Sequence, residues 1–436
     1  MKILIISHAF PPFNSMGAVR IGKTAKYLHR AGHDVRVLTA KDQALDPSLP
    51  VEIPSDNVIS TQWIAVNRIA EPMVGGRSAA ATRGYRPAAD WADSLMRRGK
   101  SMLHIPDGEI GWLPFAVREG RRIVKDWNPD VILASARPFT SLLAARLVAR
   151  QQQTPWVAEF RDLWVDSHLY EFGRLRHFID SRLERWAMET ASAIVSVTDG
   201  FCSSLAEKYG KRTVRVMNGF DDEDVVPGEP EVGGPLRLVY TGLIIEGKRD
   251  PSPLLQAIRD AQLTGDDLQV SFYGRYMEPV RRLAEKYDVK GIVSIHDQVP
   301  YRESLRLQRT ADALLLINWN HPGENSVQTG KVFEYIRSGR PILAIGSSTS
   351  AAATLVSERQ AGAVATTPNE IALQLKSWVN EKRLTGSIPA IGARASVGLT
   401  RREQTQILET VLESVAAGHA ADRCLKFPTP AVSVER

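Results

Sequence analysis

Short apolar runs separated by polar segments of helical period recur along this chain. Residues 2–7 (KILIIS) have an unbroken apolar centre, the pattern of a strand buried on both faces of a parallel sheet. A loop with Pro11, Pro12 and Gly17 follows. A helix is then predicted over 18–30, with Ile21, Ala25 and Leu28 on one face and Gly32 ending it. Residues 34–39 (DVRVLT) read as the next strand. Strand, loop, helix and strand make a βαβ unit, which predicts a parallel sheet with right-handed crossovers. The same alternation predicts strands over 130–135, 156–159, 193–197 and 214–217, and helices over 140–151 and 175–190. The less regular, arginine-bearing stretch 64–111 reads as an insertion of helices and loops.

Residues 221–235 (DDEDVVPGEPEVGGP) are rich in acidic residues, Pro and Gly, and read as a linker. Beyond them the alternation restarts. Strands are predicted over 236–240, 268–273, 293–296, 313–317 and 341–345, with helices over 253–261, 279–287 and 303–309 and another opening at Gly330. The pattern predicts an α/β fold of two doubly wound, Rossmann-like parallel-sheet domains, 1–220 and 236–400. A last helix near 402–417, within the segment 401–419, is expected to pack back on the first domain. The tail 420–436, broken by Pro428 and Pro430, is expected to fray.

With 436 residues, 43% of them hydrophobic and 24% charged, the chain has enough apolar material for two such cores. The net charge of +6 suits an anionic substrate or membrane surface without requiring either. Two cysteines, Cys202 and Cys424, form no metal-spaced or disulfide pattern, which fits a reducing compartment. The start MKILIISHAF does not read as a signal peptide, and no apolar run is long enough to span a bilayer. A cytoplasmic protein, at most peripheral to the inner face of a membrane, is the expectation. Basic clusters interleaved with aromatics, of the kind that read nucleic acid, are not evident.

The richest stretch chemically is 326–345, SVQTGKVFEYIRSGRPILAI. Thr329 and Gly330 stand where a helix would begin, Lys331 lies in its first turn and Glu334 one turn further on. Helix N-termini offer unpaired N–H groups to a phosphate. A carboxylate one turn in suits a ribose diol. The same residues also fit an ordinary amphipathic helix capped by Thr329, with Glu334 on a solvated face.

Several segments together resemble glycosyltransferase family 4, the retaining nucleotide-sugar transferases of the GT-B fold. They are ILIISHAFPPFNSMGAVR near the start, AEFRDLW at 158–164, VMNGFD at 216–221, YTGLIIEGKRDP at 240–251, and TGKVFEYIRSGRPILAI. The resemblance spans roughly 1–415. It implies two Rossmann-like domains facing a cleft. It also implies metal-independent transfer of a sugar, with retention, from a nucleoside diphosphate donor to a hydroxyl acceptor. The expected setting is surface polysaccharide or glycoconjugate synthesis, with a saccharide or lipid-linked acceptor. No cofactor beyond the donor and no metal are expected.

Site residues follow. Glu334 is expected to hold the ribose, and Gly330 with the N–H groups of Thr329–Val332 to cradle a phosphate, with Lys331 beside it. Lys248 and Arg249 are expected to meet the charge on the departing diphosphate, one as a point charge and the other bidentately. Gly17 and Gly242, lacking Cβ, suit close approach to the donor. Arg161 and Asp162 follow a predicted strand at the end where doubly wound sheets bind ligands, and are the candidates beside the acceptor hydroxyl. Each also has a plainer explanation: a tight turn for the glycines, a surface loop pair for Lys248 and Arg249, a structural ion pair for Arg161 or Asp162.

Two departures from the family pattern matter. The family places two glutamates eight positions apart; Glu334 matches the second, and the first falls on Ser326, so the donor-sugar contact there is not a carboxylate. An Arg and a Lys usually stand five positions apart in the phosphate loop; Lys248 matches the later one, the earlier falls on Leu243, and Arg249 is the nearby substitute. Trp112, Trp127, Trp156, Trp164 and Trp186 read as core or cleft-wall residues. Arg118, Arg121, Arg122 and Lys125, at helical spacing, read as a solvated face ahead of a lipid-facing one. His168 is the nearest histidine candidate. The alternative functions are a nucleotide-sugar epimerase of the same fold and a non-catalytic nucleotide-sugar-binding protein.

Overall fold

The computed structural model describes residues 1–43, 47–65, 104–224 and 226–418. Most of the predicted insertion over 64–111, and the predicted tail, lie outside the described residues. The chain divides into two compact units, Met1–Val216 with the chain from Thr405 onward, and Met217–Gln404.

In the first unit, β1 (Lys2–Ile6), β2 (Asp34–Ala40), β3 (Val58–Thr61), β4 (Val131–Ala136), β5 (Trp156–Phe160), β6 (Ala193–Ser196) and β7 (Thr213–Arg215) form one sheet. Its order is β3-β2-β1-β4-β5-β6-β7, and every described pairing is parallel. The order reverses between β1 and β4, which makes their carboxyl ends the switch point where such sheets bind ligands. Side chains of β1 alternate between two cores. Leu4 and Ile6 pack with Trp112, Ile123 and Trp156, while Ile3 and Ile5 pack with Ile21, Leu28 and Leu408.

The helix Arg401–Ala416 presents Leu408, Val411, Leu412 and Val415 to that second core, one face at i, i+3, i+4 and i+7. Its start is fixed by a reciprocal cap. Glu403 N donates to Thr400 Oγ1 (3.1 Å), and Thr400 N donates to Glu403 Oε2 (3.0 Å).

The second unit holds β8 (Leu236–Thr241), β9 (Leu268–Tyr273), β10 (Val293–His296), β11 (Ala313–Ile317), β12 (Ile342–Ile345) and β13 (Gly362–Ala365). They pair in the order β10-β9-β8-β11-β12-β13, so the switch point lies between β8 and β11. Leu238, Tyr240, Leu315 and Ile317 face one core, and Val239, Leu314 and Leu316 the other.

Several elements were not visible in the sequence pattern. The edge strand β3 is only half-buried and carries no apolar run. The helices Asp199–Tyr209, Ala351–Glu358 and Pro368–Thr385 and the strand β13 were also not anticipated, while the helical spacing of Arg118–Lys125 falls in the helix Leu113–Trp127. In the helix Leu113–Trp127, Ala116, Gly120, Ile123, Val124 and Trp127 are buried, and Arg118, Arg121, Arg122 and Lys125 are exposed. Arg122 pairs with Glu119 and Asp126 there, as a solvated face does. The predicted helix at 18–30 starts earlier, at Met16, because Ser15 Oγ accepts from Ala18 N (3.1 Å).

One expectation needs correction. The stretch 221–235 is not a free linker, since Met217 already belongs to the second unit. Glu229 there pairs with Arg309 and Arg340, both at 2.5 Å, and Gly233 N donates to Gly386 O at 2.7 Å. Composition showed the Pro and Gly but not the arginines that would hold the glutamate. Of the five tryptophans expected in the core or along a cleft wall, Trp112, Trp127, Trp156 and Trp164 are buried and Trp186 is 38% exposed.

The second unit also buries an ion pair. Lys382 and Asp312 are each 1% exposed, and the same Asp312 oxygen accepts from Arg237 N at 2.7 Å. Removing one charge strands the other without water. Asp312→Asn should therefore lower stability by about 3 kcal/mol in chemical denaturation, and adding Lys382→Met should recover much of that loss. An unchanged transition in the single variant would show that the pair does not hold this unit.

Candidate functional site

In the second unit, candidate residues gather at the carboxyl ends of β8 and β11. Gly242 follows β8 with φ +140°. A Cβ built on it would lie 1.9 Å from Lys331 Nζ, so the lysine side chain occupies the space that the glycine leaves open. Lys331 opens the helix Lys331–Ser338. Its Nζ donates to Tyr240 Oη (3.0 Å) and sits 4.3 Å from the centre of that ring.

Burial pulls the Lys331 ammonium down to about 7; repulsion from Arg249 adds to this, and Glu334 opposes it. Arg249 Nη1 donates to Leu243 O at 3.2 Å. Burial pushes the Tyr240 hydroxyl up to about 12, against Arg249. Gly242, Arg249 and Lys331 are thus brought together, with Tyr240 as a partner that the sequence had not singled out. Lys248 belongs to the same loop but turns to another aromatic group. Its Nζ stands 4.7 Å from the Trp319 ring centre, and Trp319 stacks on His321 at 4.6 Å.

The Lys331–Ser338 helix has no side-chain cap, and Gly330 already has helical angles (φ −61°, ψ −24°). Thr329 therefore does not cap it, contrary to the plainer of the two sequence readings. Among the described residues no side chain caps its first turn, and Lys331 sits beside those N–H groups. Ser326 lies in the loop leading in. That loop is pinned by Asn325, whose Oδ1 accepts from Ser347 (3.3 Å) and Thr349 (3.1 Å).

Glu334 is half-buried. Burial raises its pKa, while a hydrogen bond with Gln308 and the charges of Arg401, Lys331 and Arg337 oppose the rise. It lines a pocket with Val226, Leu305, Gln308, Arg309 and Arg337. Gln308 donates to Thr241 Oγ1 at 3.0 Å, and its own Oε1 is buried with no partner among the described residues. Gln308 and Arg337 were not visible as site residues, because each reads as one polar position on an amphipathic helix.

The first unit assembles a separate cluster at its own switch point. A Cβ on Gly17 would lie 2.2 Å from Arg161 Nη1, so this chain's own arginine fills the space over Gly17. Arg161 Nε donates to Ala136 O (2.8 Å) and Nη2 to Arg137 O. Burial lowers the guanidinium's pKa, and Glu159 opposes that. Glu159 is itself fully buried against Arg20 (2.9 Å) and Ser135. Asp162 makes only a loose, exposed pair with Arg137 at 4.0 Å.

Three groups here were not anticipated. His8, at the end of β1, lies edge-on to Trp63 and Trp112, and burial lowers it to about 4, so it is neutral at pH 7. Asp107 accepts from Thr140 N (3.0 Å) and Oγ1 (2.6 Å). Next to it, burial and the Asp107 charge push Glu109 up to about 7. Both carboxylates lie at the end of the irregular stretch 64–111, where no periodicity pointed to them.

Residues 17–219 match the family described as "Glycosyl transferase 4-like domain". The match covers most of the first unit. Solved structures resemble the full fold. HepE of Anabaena, determined in complex with UDP-glucose, has a TM-score of 0.59 at 14% identity, over 95% of this chain and 100% of its own. The lipopolysaccharide outer core galactosyltransferase WaaB gives 0.59 at 13%, covering 95% and 99%. A UDP-N-acetylglucosamine 2-epimerase of Listeria monocytogenes, named as putative, gives 0.52 at 13%, covering 98% and 99%. No curated protein sequence matches. The two units thus share the GT-B fold of these solved structures. No helix among the described residues is long and apolar enough to cross a membrane.

The Lys331 ammonium generates a sign-specific prediction. Its folded pKa of about 7 lies below the ordinary lysine value near ~10.4. The cost of burying the charge is fully present below pH 7 and is relieved as pH rises towards the unfolded value. Lys331→Met should therefore stabilise the protein more at pH 6 than at pH 9, with the gap shrinking by about 2 kcal/mol. Thermal denaturation of both proteins at the two pH values measures this; a gap independent of pH would mean that the ammonium is not desolvated.

Proposed function

We propose that this protein is a glycosyltransferase that moves a sugar from a nucleoside diphosphate donor to a hydroxyl acceptor, with retention and without a metal. The observation that carries the proposal is the cationic cluster of Lys331 and Arg249 over Gly242, beside an uncapped helix start. Diphosphate oxygens suit such a place, because N–H dipoles, an ammonium and a guanidinium all offer donors and positive charge at once. A diphosphate bound there draws Lys331 to its charged form, so the developing negative charge on the leaving group is met by groups already in position. Lys248, held over Trp319, supplies further positive charge in the same loop.

Glu334, with Gln308 beside it, receives the ribose hydroxyls in this proposal. Ser326 stands where the family has a carboxylate towards the sugar, so its hydroxyl makes a neutral contact there. The departing phosphate takes the acceptor proton, and no strong protein base is required. The acceptor belongs to the first unit, where Arg161 and Asp162 are the candidate groups, in surface polysaccharide or glycoconjugate synthesis. The likeness in fold to the Listeria protein keeps epimerisation as a second reading; it predicts a product from donor alone.

Thermal shift with UDP, GDP, dTDP and their sugars tests the donor site. One nucleotide family at about 100 times its Kd should stabilise the wild type by about 2.7 kcal/mol, and Glu334→Ala should lose most of that. No shift with any nucleotide at millimolar concentration would remove the proposal. A shift without turnover on any acceptor, or turnover without one, would favour a binding protein or an epimerase.

A further inference from the structure

The helix Arg174–Met188 buries charge over most of its length. Arg176, Asp180 and Glu184 are 4%, 0% and 1% exposed, at i, i+4 and i+8, and only its last turn, Ala187 and Met188, adds apolar residues to the buried side. Arg176 Nε donates to Asp180 (3.2 Å), and its Nη2 donates to His104 O (2.7 Å). Tyr170 Oη donates to Asp180 (2.6 Å), and Lys208 Nζ donates to Glu184 (2.8 Å). The outward stripe is apolar. Leu175 is 65% exposed, Phe178 55% and Trp186 38%, and just before the helix Leu169 and Phe172 are exposed at 43% and 44%.

Both halves of this arrangement work against stability in water. Buried charges lose hydration, and exposed Phe and Leu gain nothing from the solvent. An apolar group of this size, gathered on one element and the turn before it, marks a surface with a partner. The exposed charges there identify the partner's chemistry. Over 169–186 three arginines are exposed, Arg174, Arg182 and Arg185, against one carboxylate, Glu171. Arg182 lies 4.5 Å from the Phe178 ring centre, so cation and apolar group are presented side by side. Aromatic and leucine side chains interleaved with arginines suit the boundary of an anionic bilayer, where rings enter the acyl region and guanidinium groups meet lipid phosphates.

We infer that this face, Leu169 to Trp186, docks the protein on an anionic membrane surface. The helix lies in the plane of the interface and does not cross it. The buried Arg176–Asp180–Glu184 network holds it in register, so that its apolar side stays outward. The inference stands apart from the proposed donor chemistry, since the face contains none of the donor-site residues. It differs from the sequence expectation, which weighed the Arg118–Lys125 segment for lipid contact.

Sedimentation with phosphatidylcholine vesicles, with and without about one-third phosphatidylglycerol, tests it on the full chain. Wild type should bind the anionic vesicles at least about tenfold better than the neutral ones, and less so at high salt. Leu175→Ser with Phe178→Ser should lower that binding about tenfold or more. Arg174→Gln with Arg182→Gln should remove most of the preference for anionic lipid. Both pairs alter exposed side chains, so circular dichroism and the thermal transition should stay as in wild type, and nucleotide-induced stabilisation serves as a separate check of the second unit. Absence of wild-type binding, equal binding by the Ser variant, or a Phe178-dependent dimer in light scattering without vesicle binding would each overturn the inference.

Discussion

A helix start without a cap, with a buried ammonium beside it, is the constraint on which the second unit's site depends. Lys331 lies across Gly242, its Nζ on the Tyr240 hydroxyl, and that path exists only because residue 242 has no Cβ. The ammonium is held away from water near a second cation, Arg249, and its pKa falls to about 7 as a result. A group placed at this cost is poised to gain from an anion, because the missing solvation is what a phosphate would replace. Glu334 stands one turn along the same helix, so the spacing between phosphate and ribose contacts in the proposed complex is set by helix geometry.

The first unit solves a related problem differently. Arg161 also crosses a glycine, Gly17, but there the guanidinium is tied to the carbonyl groups that end β4. A fully buried Glu159 next to it, itself bonded to Arg20 and Ser135, compensates the charges. Here the positive charge is already partnered, which suits a positioning part more than a free anion cradle. Asp107 and Glu109 add carboxyl groups with raised pKa values to the same unit. Both units place their chemistry at the carboxyl ends of central strands, where the sheet order reverses.

Much of this was legible in the chain. The strands at the sheet centres read correctly because they are unbroken apolar runs buried on both faces, as in LLLI of β11. The turn glycines and the Thr-Gly-Lys start of the helix were visible by residue type. Three kinds of information were not. Edge elements such as β3 carry weak patterns, and 221–235 looked free because arginines distant in sequence hold its glutamate. Burial decides titration, so neither the depressed Lys331 nor the raised Glu109 shows in composition. The helix Arg174–Met188 has a periodic pattern, but periodicity does not say which side faces inward. Its charged stripe finds enough partners to be the buried one.

The central claim is that a nucleoside diphosphate occupies the start of the Lys331–Ser338 helix. Hydrogen–deuterium exchange of the full chain, with and without a saturating nucleoside diphosphate, tests it most directly. The account predicts slowed exchange in peptides covering residues 241–249 and 326–334, where the backbone N–H groups would meet phosphate and the helix would stop fraying. Protection elsewhere, with these two segments unchanged under saturating ligand, would contradict it.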